Sequence, residues 1–94
     1  MSVKVITLED ELKNTDNAHL KRLILISRLH SLAVSPFEEE LQQALYKCWI
    51  EIATVYLANG DLKAVIGKCE QALKSKFPNN IMAQLYIETT RKLL

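Results

Sequence analysis

The sequence predicts an all-α protein in which four to five helices pack as antiparallel hairpins. Apolar residues recur at helical spacing along most of the chain, and no stretch alternates between apolar and polar residues for long enough to indicate a β-strand. The 94 residues include only two Gly and two Pro, too few for several strands joined by tight turns. Because the predicted helices are joined by short turns, consecutive helices should run antiparallel.

The segment before residue 18 predicts a short helical turn followed by a break. Residues 7–10, Thr-Leu-Glu-Asp, resemble a capping box, and Leu8 with Leu12 marks a short amphipathic turn. Residues 14–17 are Asn, Thr, Asp and Asn, which prefer caps to helix interiors. We therefore expect a new helix from Ala18 to Leu32. The alternative is one long helix through both segments.

A central helix is predicted to begin at the Ser-Pro-Phe-Glu stretch of residues 35–38 and to end at about Ala58. The Ser35 hydroxyl can accept a hydrogen bond from an unpaired amide, and Pro36 suits the first helical position. Asn-Gly at residues 59–60 can adopt the left-handed backbone conformation that ends many helices.

Two further helices complete the pattern. Asp61 can cap a helix from Leu62 to about Lys76, which Pro78 closes. A last helix should follow from about Asn80.

The central helix is apolar on two sides. One stripe consists of Leu45, Trp49, Ile52, Ala53 and Tyr56. The other consists of Phe37, Leu41, Ala44, Cys48 and Val55. A helix that is apolar on two sides is packed on two sides. We therefore expect one stripe to contact the N-terminal helical segment and the other to contact the helix that follows.

Charge and hydropathy exclude several classes of function. The formal net charge of +1 provides no overall attraction to nucleic acid or to an anionic membrane. The longest wholly apolar run, residues 23–26, is far shorter than the roughly 20 residues that span a bilayer. Residues 1–13 lack the apolar stretch and cleavage site of a signal peptide. We expect a cytoplasmic protein without membrane insertion.

No arrangement of residues predicts catalysis, a metal site or a cofactor. Cys48 and Cys69 lie among apolar residues of helical patterns, which predicts buried free thiols. His19 and His30 have no carboxylate or thiol at metal-ligand spacing, so surface or half-buried histidines are expected. We therefore expect that the protein is not an enzyme.

Residues 49–78 resemble one tetratricopeptide repeat, a helical hairpin that binds other proteins. The positions that match its first helix are Trp49, Ile52, Ala53 and Tyr56. The positions that match its turn and second helix are Gly60, Val65, Cys69, Ala72, Leu73 and Pro78, the last one residue late. In such a unit the small residues Ala53 and Ala72 would let the two helices approach closely.

The resemblance divides a single helical domain, residues 1–94, into three parts: an N-terminal helical segment at 1–34, a tetratricopeptide-like helix pair at 35–78 and a C-terminal capping helix at 79–94. Small helical proteins of this kind also resemble the repeat-type chaperones of bacterial type III secretion. Those chaperones hold the amphipathic helix of a subunit before export. The resemblance implies a chaperone or adaptor with a protein partner.

The concave face of such a repeat would carry the partner-binding residues. Carried over position by position, these are Lys47, Ile50, Thr54, Leu57, Met82, Leu85 and Thr89. Ile50 and Leu57 lie off the Trp49 stripe and suit an apolar groove for a partner helix. The alternative is that the N-terminal helix of the chain itself covers Ile50 and Leu57, and that Met82 and Leu85 belong to the core.

Two other classes of function stay open. A DNA-binding helix-turn-helix would use a basic reading helix, and Lys63, Lys68, Lys74 and Lys76 all lie in the helix after Asp61, though not along one edge. A structural subunit of a helical homo-oligomer is the other alternative.

Overall fold

The computed structural model describes residues 17–36 and 38–94. Its helices are α1 (Ala18–Ala33), α2 (Glu39–Ala58), α3 (Leu62–Lys76) and α4 (Ile81–Arg91). The described residues contain no strand, so the predicted all-α class is confirmed. The capping box and amphipathic turn predicted at residues 7–12 lie outside the described residues.

Asn or Asp side chains cap the N-termini of three of the four described helices, as the sequence predicts. The Asn17 side chain accepts from the amides of residues 19 and 20, and α1 starts at the next residue. Asp61 accepts from the Ala64 amide at 3.0 Å, and Asn80 accepts from the amides of residues 82 and 83. These caps satisfy amides that have no partner within the helix. Because Asn17 is extended, α1 does not continue back through it.

The predicted start of α2 was wrong by three residues. The helix begins at Glu39, and its N-cap Glu38 makes no side-chain capping bond. Ser35 does not cap α2; its hydroxyl donates to the Ser31 carbonyl at 2.7 Å, at the end of α1. Ser35 therefore closes the helix before it.

The other end of α2 matches the prediction. The helix ends at Ala58, and Asn59 adopts the left-handed conformation with φ 55° and ψ 32°. Its amide and the Gly60 amide donate to carbonyls of the last turn, the arrangement that ends many helices. The left-handed residue is Asn59, and Gly60 has no positive φ.

The four helices pack around a common core. α1 contacts α2 and α4, α3 contacts the same two helices, and α1 does not contact α3 within the described chain. The fully buried core side chains include Leu29, Leu45, Ile52, Leu73 and Tyr86. α1 and α3 therefore both pack against α2 and α4.

The two apolar stripes of α2 contact different helices, as expected. Trp49 stacks on His30 of α1 with ring centroids 4.2 Å apart. The Tyr56 hydroxyl lies 3.0 Å from Nδ1 of His19, also in α1. On the other side, the Cys48 side chain interacts with Cys69 of α3. Phe37, which was predicted in the same stripe, lies outside the described residues.

Ion pairs and ring contacts join residues near opposite ends of neighbouring helices. Lys76 at the end of α3 pairs with Glu40 at the start of α2 at 2.9 Å. The His19–Tyr56 contact likewise joins the start of α1 to the end of α2. Helices running in opposite directions would give such pairs; the hairpin arrangement itself stays a prediction.

The small residues of the tetratricopeptide pattern differ in exposure. Ala72 is exposed and Ala53 is half-buried. The aromatic residues of the pattern, Trp49 and Tyr56, contact His30 and His19 of α1. The close approach expected through Ala53 and Ala72 and the resemblance to the repeat both stay predictions. No helix within the described ranges combines the length and apolar character needed to cross a bilayer.

Candidate partner-binding surface

One face of α2 stays exposed although it carries large apolar side chains. We call it the α2 edge: Tyr46, Lys47, Ile50, Thr54 and Leu57. Tyr46 and Lys47 lie one turn before Ile50, and Thr54 and Leu57 follow at intervals of four and three residues, so the five follow one side of the helix. The α2 edge lies between the stripe that contacts α1 and the stripe that contacts α3.

Ile50 and Leu57 are the most informative members of the α2 edge. Ile50 is 42% exposed and Leu57 is 75% exposed. The two are seven residues apart, which places them two helical turns, or about 10 Å, from each other. α1 packs on the neighbouring Trp49 stripe and leaves both side chains open to solvent.

A depression of about 560 Å³ lies on the α1 side of the α2 edge. Its apolar lining comes from Val34 at the end of α1 and from Tyr46 and Ile50. Gln42 and Gln43 add polar groups at one end. A small apolar side chain from a partner could therefore be seated beside Ile50.

A second depression, of about 570 Å³, lies between α2 and α3. Ile50 and Thr54 line it from α2, and Ala64 and Val65 line it from α3. Its charged lining residues are Glu51, Asp61 and Lys68. Ile50 borders both depressions, so the two form one apolar strip across α2.

The predicted site residues of α4 lie elsewhere. Leu85 is 42% exposed, and Met82 is half-buried against the core. Thr89 is only 5% exposed, and its hydroxyl donates to the Leu85 carbonyl at 2.8 Å. None of the three lines either depression. Thr89 is therefore corrected to a buried residue of α4, and the structure joins only the α2 members of the predicted site.

Sequence reasoning missed Tyr46 and Val34, which both line the depression on the α1 side. The signal for Tyr46 was present, because it lies one turn before Ile50 on the same helical face. Val34 could not be found in this way, since its position depends on how the end of α1 packs against α2.

Both cysteines are buried free thiols, as predicted. The Cys69 sulfur lies 3.8 Å from Oε2 of Glu51. A hydrogen bond from the Cys69 thiol lowers the pKa of Cys48. The same bond, together with burial, raises the pKa of Cys69.

Two buried polar atoms of the described chain have no hydrogen-bond partner, the Tyr86 hydroxyl and Nε1 of Trp49. Burial raises the pKa of Tyr86, because the charged phenolate would lose its hydration. Within the described residues, His, Cys, Asp and Glu form no group of three or more that could hold a metal ion.

Comparison of the chain with known protein families, characterised proteins and solved structures gives no match. Functional inference therefore depends on the surface described above.

Proposed function

We propose that the protein is an interaction module, a chaperone or adaptor, that binds an amphipathic helix or segment of a partner protein along the α2 edge. The observation that carries this proposal is the exposure of Ile50 and Leu57 two turns apart on one helix. Exposed apolar residues that line up on one face are typical of interaction sites.

The spacing along the α2 edge suits a helical partner. An amphipathic helix presents apolar residues at intervals of three, four and seven positions, and it docks them in a hydrophobic groove. Here the depressions on the two sides of Ile50 would receive successive apolar residues of the partner. Leu57 would contact the partner one or two turns further along.

The charges near the strip favour protein over nucleic acid. Lys47 and Lys68 lie near Glu51 and Asp61, so both signs border the apolar strip. A DNA-binding surface would present mainly positive charge to the phosphates. A partner helix with both acidic and basic side chains beside its apolar stripe would be complementary to these charges.

The resemblance to small secretion chaperones makes a type III secretion subunit our first candidate for the partner. A chaperone of that class would act in the cytoplasm and would need no cofactor. Its work would be to cover the apolar face of the subunit until export.

The proposal can be tested with displayed peptides. A library of amphipathic helical peptides of about 20 residues is selected against the wild-type protein. Binders are then compared between wild type and the double variant Ile50→Asp/Leu57→Asp. We expect the double variant to lose at least about tenfold in affinity, because two charges would be buried against an apolar helix.

A matched control is the double variant Leu20→Asp/Ile81→Asp. Leu20 is 50% exposed and Ile81 is 78% exposed, and neither lines the two depressions. Each lies in the first turn of a helix, where a negative charge is favourable. This control should bind the selected peptides as the wild type does.

Three results would contradict the proposal. Equal loss of binding in both double variants would place the site outside the α2 edge. Retention on DNA at low salt, lost as salt rises, would favour the helix-turn-helix alternative. Light scattering that shows a homo-oligomer dissociated by Ile50→Asp/Leu57→Asp would assign the α2 edge to self-association.

A further inference from the structure

The two cysteines of the chain face each other across the interface between α2 and α3. Cys48 and Cys69 are 7% and 4% exposed, and both line the same groove of about 260 Å³. Ala44 of α2 and Ala72 of α3 line the same groove. Their methyl side chains leave room in the groove beside the two cysteines.

Glu51 lines the same groove as the two cysteines. It lies one helical turn after Cys48, and Oε2 of its carboxylate is 3.8 Å from the Cys69 sulfur. The Cys69 thiol has a single proton and two acceptors within reach, the Cys48 sulfur and the Glu51 carboxylate. The carboxylate is therefore placed to receive that proton when the Cys69 sulfur reacts.

We propose that Cys48 and Cys69 are a redox modification site, at which hydrogen peroxide converts the two thiols into a reversible disulfide that links α2 to α3. This inference does not depend on the function of the α2 edge. It is carried by the placement of both thiols and a carboxylate in one small groove.

The reaction has two steps. The Cys48 thiolate attacks one oxygen of the peroxide, the O–O bond breaks, and hydroxide leaves while Cys48 becomes a sulfenic acid. The Cys69 sulfur then attacks the Cys48 sulfur while its proton passes to the Glu51 carboxylate. The S–O bond breaks, and the departing hydroxide takes that proton from Glu51 to leave as water. The hydroxide of the first step takes the proton that Cys48 lost on forming its thiolate. In sum, two thiols are oxidised and one peroxide is reduced to two waters.

The groove favours a small oxidant. A peptide disulfide is too large to place its sulfur against thiols that are more than nine-tenths buried in a groove of about 260 Å³. Hydrogen peroxide is close to water in size and can enter. The hydrogen bond that lowers the pKa of Cys48 makes this sulfur the first to react.

The disulfide would constrain the unfolded chain. It closes a loop of about 20 residues, and a bond of this kind raises the melting temperature of a small domain by about 10 °C. The strain that the bond introduces would reduce this gain.

The test treats the wild-type protein with one equivalent of hydrogen peroxide at neutral pH. We expect a monomer whose mass falls by about 2 Da, which no longer reacts with iodoacetamide after denaturation, and which melts at a higher temperature. Dithiothreitol should reverse all three changes.

Three variants separate the steps. Cys69→Ala should stop at a Cys48 sulfenic acid that dimedone traps. Cys48→Ala should react with peroxide more slowly than wild type. Glu51→Gln should form the sulfenic acid at the normal rate but close the disulfide more slowly. Circular dichroism of each variant checks that it is folded.

Other outcomes would overturn the inference. A disulfide-linked dimer would show that the thiols pair between molecules. Oxidation of wild type to a sulfinic acid without loss of mass would show that the two sulfurs cannot meet in the folded protein. Thiols that react only after denaturation would show that peroxide does not enter the groove.

Discussion

Ile50 and Ile52 carry the same side chain two residues apart on α2, and their surroundings are opposite. Ile52 is 0% exposed in the core, whereas Ile50 is 42% exposed on the α2 edge. Two steps along an α-helix rotate a side chain by about 200°, so both cannot face the same neighbour. The comparison shows that α2 has more apolar surface than the core uses.

The exposed apolar side chains of α2 do not contribute to the core of this short chain. A domain of this size buries a smaller share of its surface than a large one and gains little stability to spare. Leaving Ile50 and Leu57 exposed adds nothing to folding and raises the risk of aggregation. Binding to a partner would explain why these exposed side chains are apolar, whereas packing within the fold does not.

The largest effect on the free energy of unfolding is expected from truncating Ile52, the buried member of the pair Ile50 and Ile52. Ile52→Ala should lower the free energy of unfolding by about 3 kcal/mol, because it removes buried methyl groups and leaves a cavity. Ile50→Ala should lower it by less than about 1 kcal/mol. Urea unfolding of the two variants measures the difference, and equal losses would show that the α2 edge is packed.

Removing the buried Tyr86 hydroxyl should have a smaller effect on the free energy of unfolding, and of opposite sign. The Tyr86 hydroxyl is buried without a hydrogen-bond partner, and such a group lowers stability. Tyr86→Phe should therefore raise the free energy of unfolding by about 1 kcal/mol at neutral pH. A loss of stability would mean that the hydroxyl is satisfied in solution.

The same variant should alter the dependence of stability on pH. Since burial raises the pKa of Tyr86 in the folded protein, the unfolded chain loses this proton first. Stability of the wild type should then fall as the pH rises above about 10, the ordinary value for tyrosine. Tyr86→Phe should lessen this fall. Unfolding curves at pH 8 to 11 compare the two proteins.

The contact of the Trp49 stripe with α1 predicts an effect of similar size. His30 stacks on Trp49 at 4.2 Å between ring centroids, and ring contacts of this kind contribute about 1 kcal/mol. His30→Ala should lower the free energy of unfolding by that amount in urea titrations. No change would show that α1 is not held against this side of α2.

The smallest effect is expected at the exposed pair Lys76–Glu40, whose nitrogen and oxygen are 2.9 Å apart. Both side chains are more than half exposed, so solvent screens the attraction. Glu40→Gln should change the free energy of unfolding by less than about 0.5 kcal/mol, and by less still in high salt. A loss above 1 kcal/mol would show that this pair is shielded from water.

Local signals in the sequence predicted the helical class and most of the helix ends. The caps at Asn17, Asp61 and Asn80 and the left-handed Asn59 depend on side chains that bond their own neighbours or tolerate that conformation. The start of α2 was misplaced because Ser35 had two helix ends within reach and bonded the earlier one.

Contacts between distant parts of the chain could not be predicted in this way. Helical spacing assigns Ile50 and Ile52 to different faces, but it does not say which face a neighbour covers. Thr89 was assigned to a binding surface and is buried, because its surroundings depend on how α4 packs against the rest of the fold. The site could therefore be predicted only on α2.

The most direct test of the exposed α2 edge is the free energy of unfolding of Ile50→Asp/Leu57→Asp, measured by urea titration with the helical content checked by circular dichroism. Surface substitutions usually change stability by about 0.5 kcal/mol or less each, so the account predicts a total change below about 1 kcal/mol and unaltered helicity. A loss of about 3 kcal/mol or more, the scale of a charge placed in the core, would show that these residues hold the fold together and are not available to a partner.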